Sequence, residues 1–289
     1  MTEIKGRAAV VTGAGSGIGR GLALELAKNG ASVAVVDILA ENARKVAEEI
    51  QAAGGQAVGL ACDVSDRVSI AAMKAAAEAA LGPVSLLFAN AGASNFDPVS
   101  EITDAATDWI IQVNLMGVID TTRAFLPGML ERKEGHIVAT ASMAGLLPAW
   151  IPVHAMYAAA KMGIIGFMMN LAMETREHGV QATTYCPSGV AGNMGAVNRY
   201  RPERFGGPSD APMKVPEASF KSVKVIPYAP ESVAPMVMRA VRANRPFVFD
   251  HAEHRRFFHE TYASVVEACF DDSDAYEREF GVPQVVGAH

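Results

Sequence analysis

Residues 8–19, AAVVTGAGSGIG, decide the predicted fold. The run AAVVT is short and apolar, as is typical of a buried strand, and a helical pattern follows the glycines to about Asn29. Glycines between a strand and a helix allow a tight turn and let the backbone approach a pyrophosphate at the helix N-terminus. The segment therefore predicts dinucleotide binding, with a flexible turn as the simpler alternative. The predicted contacts are Gly13, Ser16, Gly17, Ile18 and Gly19.

Strand and helix patterns alternate through the rest of the chain. Further apolar runs that we predict as strands lie at 32–36, 57–61, 85–89, 136–141, 180–186 and 247–250. Such alternation gives a parallel sheet with right-handed crossovers and helices on both faces. We therefore predict the α/β class, as a doubly wound parallel seven-stranded sheet (Rossmann fold) in a single domain, 1–250. Residues 251–289 are a predicted C-terminal extension that packs on this domain or on a neighbouring subunit.

Asp37 ends the second predicted strand, eighteen residues after Gly19. A carboxylate at this place can accept hydrogen bonds from both ribose hydroxyls of NAD, and it would repel the 2′-phosphate of NADP. Neither Ser16 nor Ile38 supplies the cation that an NADP enzyme would need nearby. The sequence therefore favours NAD, with a solvated acid at a strand end as the alternative.

A second motif lies in SMAGLLPAWIPVHAMYAAAK, residues 142–161. Tyr157 and Lys161 are four residues apart, so on a helix they share one face, one turn apart. At ~4 Å and an effective dielectric of about 20, an ammonium stabilises a phenolate by roughly 4 kcal/mol, or ~3 pKa units. The pair could therefore supply a general acid or base near neutral pH. Two solvated residues on a helix face are the alternative.

With these residues in place, residues 5–250 resemble the short-chain dehydrogenase/reductase family. The motifs that carry the resemblance are Thr12-Gly13-x-x-x-Gly17-x-Gly19, Asp63, Asn90-Ala91-Gly92, Asn114, Ser142 and Tyr157-x-x-x-Lys161. They occur in the family's order and on the expected elements.

The resemblance implies a role for each of these residues. Tyr157 would be the base in alcohol oxidation, or the acid in ketone reduction, and Ser142 would hydrogen-bond the reacting oxygen. Lys161 would hold the nicotinamide ribose and lower the pKa of Tyr157, and Asn114 would hold a water that links Lys161 to solvent. Ser142 as an ordinary strand-end hydroxyl and Asn114 as an ordinary helix residue remain open. Tyr157 and Lys161 are also implied cofactor contacts, together with Asp63 (to the adenine), Val64, Asn90, Ala91, Gly92, Pro187 and Val190.

The chain departs from the family pattern in three places. The fifteen residues from Ser142 to Tyr157 are two more than usual, which we interpret as a longer loop. The sequence PSGVAG at 187–192 lacks the threonine that would hold the nicotinamide carboxamide, and Asn193 is the candidate substitute. The chain also continues beyond the usual end of the family.

The substrate side is predicted from two segments. Residues 195–225 are rich in Pro and Gly and carry more basic than acidic residues. They stand where the family has its substrate lid. The excess of basic residues would favour an acidic substrate, and a solvated loop is the alternative. The predicted substrate contacts are Met143, Leu147, Trp150, His154 and Met194. This mostly apolar set favours a bulky aromatic secondary alcohol, and the chain is similar to bacterial dehydrogenases of lignin aryl-ether benzylic alcohols.

Composition excludes several other classes. The net charge is −6 and no Lys/Arg run occurs, so nucleic acid is not an expected partner. Three widely spaced cysteines fit neither a disulfide framework nor a zinc site, and the histidines of the tail give no tight ligand set, so no metal is expected. No signal peptide or apolar run of ~20 residues is present, so we predict a soluble cytoplasmic protein with no membrane partner. The family implies a homodimer or homotetramer.

The leading hypothesis is an NAD-dependent oxidoreductase that converts a bulky, aromatic (benzylic) secondary alcohol to a ketone. One alternative is a ketoreductase of an acyl or steroid-like carbonyl, which the missing NADP cation disfavours. Another is a non-catalytic NAD-binding regulatory protein. That hypothesis predicts a broken triad, whereas Ser142, Tyr157 and Lys161 are all present.

Overall fold

The computed structural model describes residues 1–147, 149–211, 213, 215 and 226–281. Its sheet has seven strands, all parallel, in the order β3-β2-β1-β4-β5-β6-β7. The strands are β1 (Ala8–Thr12), β2 (Ser32–Asp37), β3 (Gln56–Ala61), β4 (Val84–Ala89), β5 (Gly135–Thr140), β6 (Val180–Cys186) and β7 (Phe247–Phe249). The predicted α/β fold with a seven-stranded parallel sheet is confirmed.

Helices connect the strands and cover both faces of the sheet. They are α1 (Gly17–Lys28), α2 (Ala40–Ala52), α3 (Arg67–Leu81), α4 (Asp104–Ile111), α5 (Gly117–Arg132), α6 (Met143–Leu146), α7 (Ala155–Thr175) and α8 (Pro230–Arg242). Strands β1, β4 and β5 are buried at every residue, as expected when a parallel sheet is covered on both sides.

The largest core cluster fills the space between the sheet and helices α1, α2 and α8. Leu22 and Leu26 of α1 meet Val237 of α8 and the side chains of β2, such as Val33 and Val35, all of them fully buried. Each such side chain contributes about 1.5–3 kcal/mol through burial of its apolar surface. The packing fixes α1 on the sheet, and with it the glycine turn at its N-terminus.

The strand order places a crevice at the centre of the sheet. β1 pairs with β2 on one side and with β4 on the other. The connection after β1 therefore runs towards one edge of the sheet, and the connection after β4 runs towards the other edge. Ligands of such folds bind at this point, beyond the C-terminal ends of the strands.

The predicted helix at 104–132 is interrupted. A wider π-helical turn, Gln112–Met116, separates α4 from α5. Turns of this type are frequent at functional sites because they redirect side chains out of the regular helical spacing. Here the turn carries Asn114.

Helix α7 is the one described helix that is long and apolar enough to cross a membrane, counted together with the turn that follows it to His178. It instead packs within the fold, with Tyr157, Lys161, Ile164, Met168 and Leu171 buried. It is therefore a core helix of the fold.

The chain divides into two compact units, Met1–Asp250 and His251–His289. The described part of the second unit is helical and contains α9 (His254–Phe258), a π-helical turn (His259–Ala263) and α10 (Ser264–Phe280). Whether this extension packs on the domain or on another subunit stays a prediction.

Candidate active site

The glycine turn between β1 and α1 is packed too tightly for larger residues. A Cβ atom on Gly13, which has φ +64°, would lie 2.8 Å from Cα of Ala91, and one on Gly19 would lie 2.2 Å from the carbonyl oxygen of Gly13. Gly17 also has a positive φ, +52°, which favours glycine. The turn therefore presents bare backbone to the cleft.

Asp37 lies at the end of β2 and faces this turn. Its carboxylate accepts hydrogen bonds from the backbone N–H groups of Gly15 (3.0 Å) and Leu39 (3.1 Å). Burial raises the pKa of the Asp37 carboxyl above its usual range, and these two hydrogen bonds oppose the shift. The side chain is held in place at the outer end of the cleft.

Thr12 and Asn90 join the ends of three strands. The Thr12 hydroxyl accepts hydrogen bonds from the N–H groups of Asn90 (2.9 Å) and Ala91 (3.1 Å). The Asn90 amide donates to the carbonyl of Thr12, and the Thr140 hydroxyl donates to the Asn90 side-chain oxygen. This network fixes the floor of the cleft.

Asn114 is fully buried beside the Asn90–Gly92 segment. Its amide nitrogen donates to the carbonyls of Ala93 and Ile110, both at 2.8 Å, and its oxygen accepts from the Ala93 N–H. A Cβ atom on Gly92 would lie 2.9 Å from the Asn114 oxygen and 3.5 Å from Nζ of Lys161. The π-helical turn thus brings Asn114 close to Lys161, although Asn114 does not line the cleft itself.

Ser142, Tyr157 and Lys161 meet at the inner end of the cleft. Ser142 follows β5, caps α6 through the N–H of Ala144, and hydrogen-bonds the hydroxyl of Tyr157. Nζ of Lys161 donates to the carbonyl of Thr140 (2.8 Å) and lies 5.5 Å from the centre of the Tyr157 ring. The helical spacing of the motif therefore brings both groups to one face of α7.

The charge states differ from the sequence-based expectation. Burial raises the pKa of Tyr157 to about 12, opposed by its hydrogen bond with Ser142, and burial lowers the pKa of Lys161 to about 7. The expected attraction between ammonium and phenolate is outweighed because both groups are buried, which disfavours both charged forms.

A cleft of about 270 Å³ contains most of the predicted site residues. All the predicted cofactor contacts line it, together with Ser142, Tyr157, Lys161 and Met194. The cofactor contacts are Gly13, Ser16, Gly17, Ile18, Gly19, Asp37, Asp63, Val64, Asn90, Ala91, Gly92, Pro187 and Val190. Asn193 also lines the cleft, as its suggested role beside the carboxamide requires.

Four predicted substrate contacts lie outside the cleft lining, namely Met143, Leu147, Trp150 and His154. Met143 and Leu147 are buried because the short helix α6 packs directly on α7. A Cβ atom on Gly145 would lie 2.7 Å from the backbone carbonyl carbon of Lys161. His154 lies on the far side of this packing and stacks against the ring of Tyr157. Residue type alone did not reveal these orientations.

Other side chains form the apolar wall beside Tyr157. Trp109 and Val113 come from α4 and the π-helical turn, and Val197 and Tyr200 come from the 3₁₀ helix Met194–Tyr200. Trp109 and Val197 belong to the same buried cluster as Tyr157. The i, i+4 spacing of Trp109 and Val113, just before Asn114, is the sequence signal that could have identified this wall.

Besides Val197 and Tyr200, other described residues of the predicted lid, 195–225, also contact the domain. Positions 212, 214 and 216–225 lie outside the described residues. Phe205 packs into the cluster around Tyr157, and the Arg204 guanidinium donates to the Asp63 carboxylate and the Ser65 hydroxyl, both at 2.7 Å. Burial would raise the pKa of Asp63, but hydrogen bonds from Ser65 and Arg204 hold it below its usual range. Asp63, which is the predicted adenine contact, therefore also holds the described part of the lid segment through Arg204.

Among the described residues, no group of three or more His, Cys, Asp or Glu side chains is arranged to hold a metal ion. Cys62 and Cys186 are buried, and burial raises the pKa of their thiols to about 11 and about 12. Such thiols are unreactive at neutral pH. The ionisable groups at the inner end of the cleft are therefore those of Tyr157 and Lys161.

A family model described as short chain dehydrogenase matches residues 7–202. The chain belongs to the short-chain dehydrogenase/reductase family of oxidoreductases, as the sequence motifs predicted. The match covers the glycine turn, Asp37, Asn114, Ser142 and the Tyr157–Lys161 pair.

Three relatives show what this chain is similar to. The C alpha-dehydrogenase of Sphingobium sp. (strain NBRC 103272 / SYK-6) is 28% identical over 270 residues, which are 93% of this chain and 88% of that protein. A family member from Burkholderia phymatum, solved in complex with NAD, has a TM-score of 0.85 at 30% identity, covering 93% of this chain and 97% of that one. A metagenomic short-chain oxidoreductase, solved in complex with NADP, has a TM-score of 0.67 at 32% identity, covering 86% and 96%.

Proposed function

We propose that this protein is an NAD-dependent dehydrogenase that oxidises a bulky, aromatic secondary alcohol of the benzylic type to a ketone. The observation that carries the proposal is the meeting of the Tyr157 phenol, the Ser142 hydroxyl and the Lys161 amine beside an apolar wall, in the cleft that also contains the glycine turn.

The cleft fits a nicotinamide dinucleotide. The bare backbone at Gly13–Gly19 and the N-terminus of α1 suit a pyrophosphate, and the anchored Asp37 carboxylate suits two ribose hydroxyls. Lys161 is the one Lys or Arg in the described lining, and it lies with Tyr157 at the inner end. A 2′-phosphate beside Asp37 would therefore meet a carboxylate and no cation, which supports NAD over NADP.

The positions of these side chains suggest a role for each of them in the reaction. The bound nicotinamide would accept the hydride from the carbinol carbon, and Tyr157 would take the hydroxyl proton. Ser142 would hold the carbinol oxygen, since it already hydrogen-bonds the Tyr157 hydroxyl. Lys161 would hold the nicotinamide ribose, and Asn114 would position the segment next to Lys161.

Two observations support an aromatic substrate. Trp109, Val113, Val197 and Tyr200 make an apolar wall of the kind that suits an aromatic ring, and Met194 lines the same cleft. A relative along most of the chain is named C alpha-dehydrogenase. Catabolism of aromatic compounds is the biological setting that this substrate class implies.

Ketone reduction is the second candidate. It is favoured by one observation: burial raises the pKa of Tyr157 to about 12, so the phenol is protonated at neutral pH and ready to donate. The substrate would then be an acyl or steroid-like carbonyl. A non-catalytic cofactor-binding role is disfavoured by the close arrangement of Ser142, Tyr157 and Lys161.

The proposal also includes the location and the oligomeric state of the protein. We infer a cytoplasmic protein that forms a homodimer or homotetramer. Helix α7 supports the assembly because its outer face exposes Met162, Met169 and Met173. Residues 251–289 would cover either the domain or a neighbouring subunit.

The variant Tyr157→Phe tests the proposed base. It should lower kcat for alcohol oxidation by about 10²–10⁴, the usual share of general base catalysis, and should leave NADH binding unchanged. Tyr276→Phe, at an exposed position of α10, is the matched control and should behave like the wild type. Full activity of Tyr157→Phe would refute the assignment.

A further inference from the structure

His154 lies in a stack of three rings behind the active site. Its imidazole is parallel to the Tyr157 ring, with centres 4.3 Å apart and planes at 10°, and it has the same distance and angle to the ring of Phe96. His154 is 6% exposed. The ring of the proposed base is therefore covered on one face by an imidazole that is itself backed by a phenyl ring.

A hydrogen bond fixes the imidazole in its plane. Nε2 of His154 and the Ser94 hydroxyl are 3.0 Å apart, and Ser94 is 3% exposed. Ser94 and Phe96 belong to the segment that follows β4, whereas Tyr157 is on α7. His154 thus links the helix that carries the base to the segment after β4.

The backbone before His154 is strained. Val153 has φ +52°, a left-handed conformation that β-branched residues rarely adopt. Such strain persists only where surrounding contacts determine it, and it concentrates at functional sites. The strained residue directly precedes His154 in the segment between Ser142 and Tyr157, so the strained backbone leads into the stacked imidazole.

The geometry also limits what His154 does. In the part of the chain that the structure describes, Nε2 of His154 is paired with Ser94 and Nδ1 has no hydrogen-bond partner, so neither nitrogen is bonded to the Tyr157 hydroxyl to exchange a proton with it. Burial lowers the pKa of His154 to about 4, so the ring is neutral at physiological pH. A neutral flat ring can restrict the rotation of the phenol without adding charge beside it.

We propose that His154 is a positioning residue that sets the plane of the Tyr157 ring, and with it the direction in which the Tyr157 hydroxyl points. The inference rests on the proposed function, because it takes Tyr157 as the acid–base group. The substrate contact that the sequence predicted for His154 stays a separate prediction.

The test compares His154→Ala, His154→Phe and Ser94→Ala in the full-length protein. His154→Ala removes the stack and should lower kcat by about 10- to 100-fold, as expected when a reacting group is misplaced by about 1 Å. The Kd for NADH should stay at the wild-type value. His154→Phe preserves a flat ring and should recover kcat to within about five-fold of wild type, because aromatic pairs of this kind stabilise one another. Ser94→Ala should lie between the two.

Two further variants make the result decisive. His178→Ala, at an exposed position, controls for the loss of a histidine and should not change kcat. Tyr157→Phe separates the two proposals: if it retains activity, the base assignment has failed. If it is inactive while His154→Ala has wild-type kcat, only the positioning proposal is overturned. Equal losses of kcat in His154→Phe and His154→Ala would also overturn it, as would a parallel loss of NADH binding and thermal stability in His154→Ala.

Discussion

Tyr157 and Lys161 show how burial controls the chemistry of single residues. The sequence predicted that the two groups share a face, because helical spacing is a local property, and the structure has them there. It did not predict that burial raises the pKa of Tyr157 to about 12 and lowers that of Lys161 to about 7. Burial depends on residues from α4, the 194–200 segment and β5, which are remote in sequence.

The pKa of Tyr157 predicts the pH dependence of turnover. Oxidation needs the phenolate, whose fraction grows about ten-fold per pH unit while the pH is below the pKa. The kcat for alcohol oxidation should therefore rise between pH 7 and about 10. In this range Lys161 is largely neutral, so no positive charge lowers the pKa of Tyr157 and the phenolate forms only as the pH rises. Ketone reduction uses the protonated phenol and should stay nearly flat over the same range.

Steady-state rates in both directions, with NADH binding measured at each pH, check this prediction. An oxidation rate that falls as the pH rises above 7 would show that the deprotonated Tyr157 is not the base.

At the scale of elements, the loop after β6 is held by the residue that follows β7. The Asp250 carboxylate accepts hydrogen bonds from the Tyr185 hydroxyl (2.9 Å) and from the Ser188 N–H (3.0 Å). Asp250 is 5% exposed. Since Pro187, Ser188 and Val190 line the cleft, this contact connects the last strand to the cofactor side of the site.

Asp250→Ala should destabilise the protein and loosen this loop. It leaves the buried Tyr185 hydroxyl and Ser188 N–H without this acceptor, at a cost of about 1–3 kcal/mol for each group. The KM for NAD should rise as well, because the loop forms part of the cleft.

Urea unfolding and KM measurements on Asp250→Ala and Asp250→Asn test this account. The asparagine variant retains an acceptor for Ser188 and should lose less stability. Wild-type stability and KM in Asp250→Ala would contradict the role given to this contact.

The sequence predicted most elements but not their detailed packing. Strands such as Ala8–Thr12 are short apolar runs that tertiary context does not change, so their positions could be read directly. The π-helical turn at Gln112–Met116 and the inward packing of α6 depend on contacts with Ala93 and with α7. No local pattern encodes those contacts. The spacing of Trp109 and Val113 was a local signal for one part of the apolar wall, but the part that comes from Val197 had none.

At the scale of the whole molecule, the sheet order follows from strand–helix alternation and the right-handed crossover rule. The outer face of α7 is one apolar surface that the packing of the single chain leaves exposed. Met162, Met169 and Met173 are 36%, 55% and 71% exposed, and they lie at helical spacing on one stripe. Contiguous apolar surface of this kind marks interaction sites, and a second copy of the chain is the proposed partner.

The double variant Met169→Glu/Met173→Glu should therefore lower the oligomeric state, from dimer to monomer or from tetramer to dimer, because it would place two charges in the proposed interface. Val68→Glu, an exposed apolar position on α3, is the matched control and should leave the assembly unchanged. Light scattering coupled to gel filtration gives the masses. A monomeric wild type, or a double variant with the same mass as the wild type, would refute this interface.

The most direct test of the proposed function is reduction of NAD and of NADP by the purified protein over secondary alcohols graded by size, from short aliphatic alcohols to large aryl carbinols. The apolar wall beside Tyr157 and the Asp37 carboxylate predict turnover with NAD in preference to NADP, with kcat/KM highest for the large aryl carbinols. Turnover of short aliphatic alcohols without turnover of aryl carbinols would contradict the substrate class. Tight NADH binding with no alcohol oxidised would contradict the dehydrogenase assignment itself.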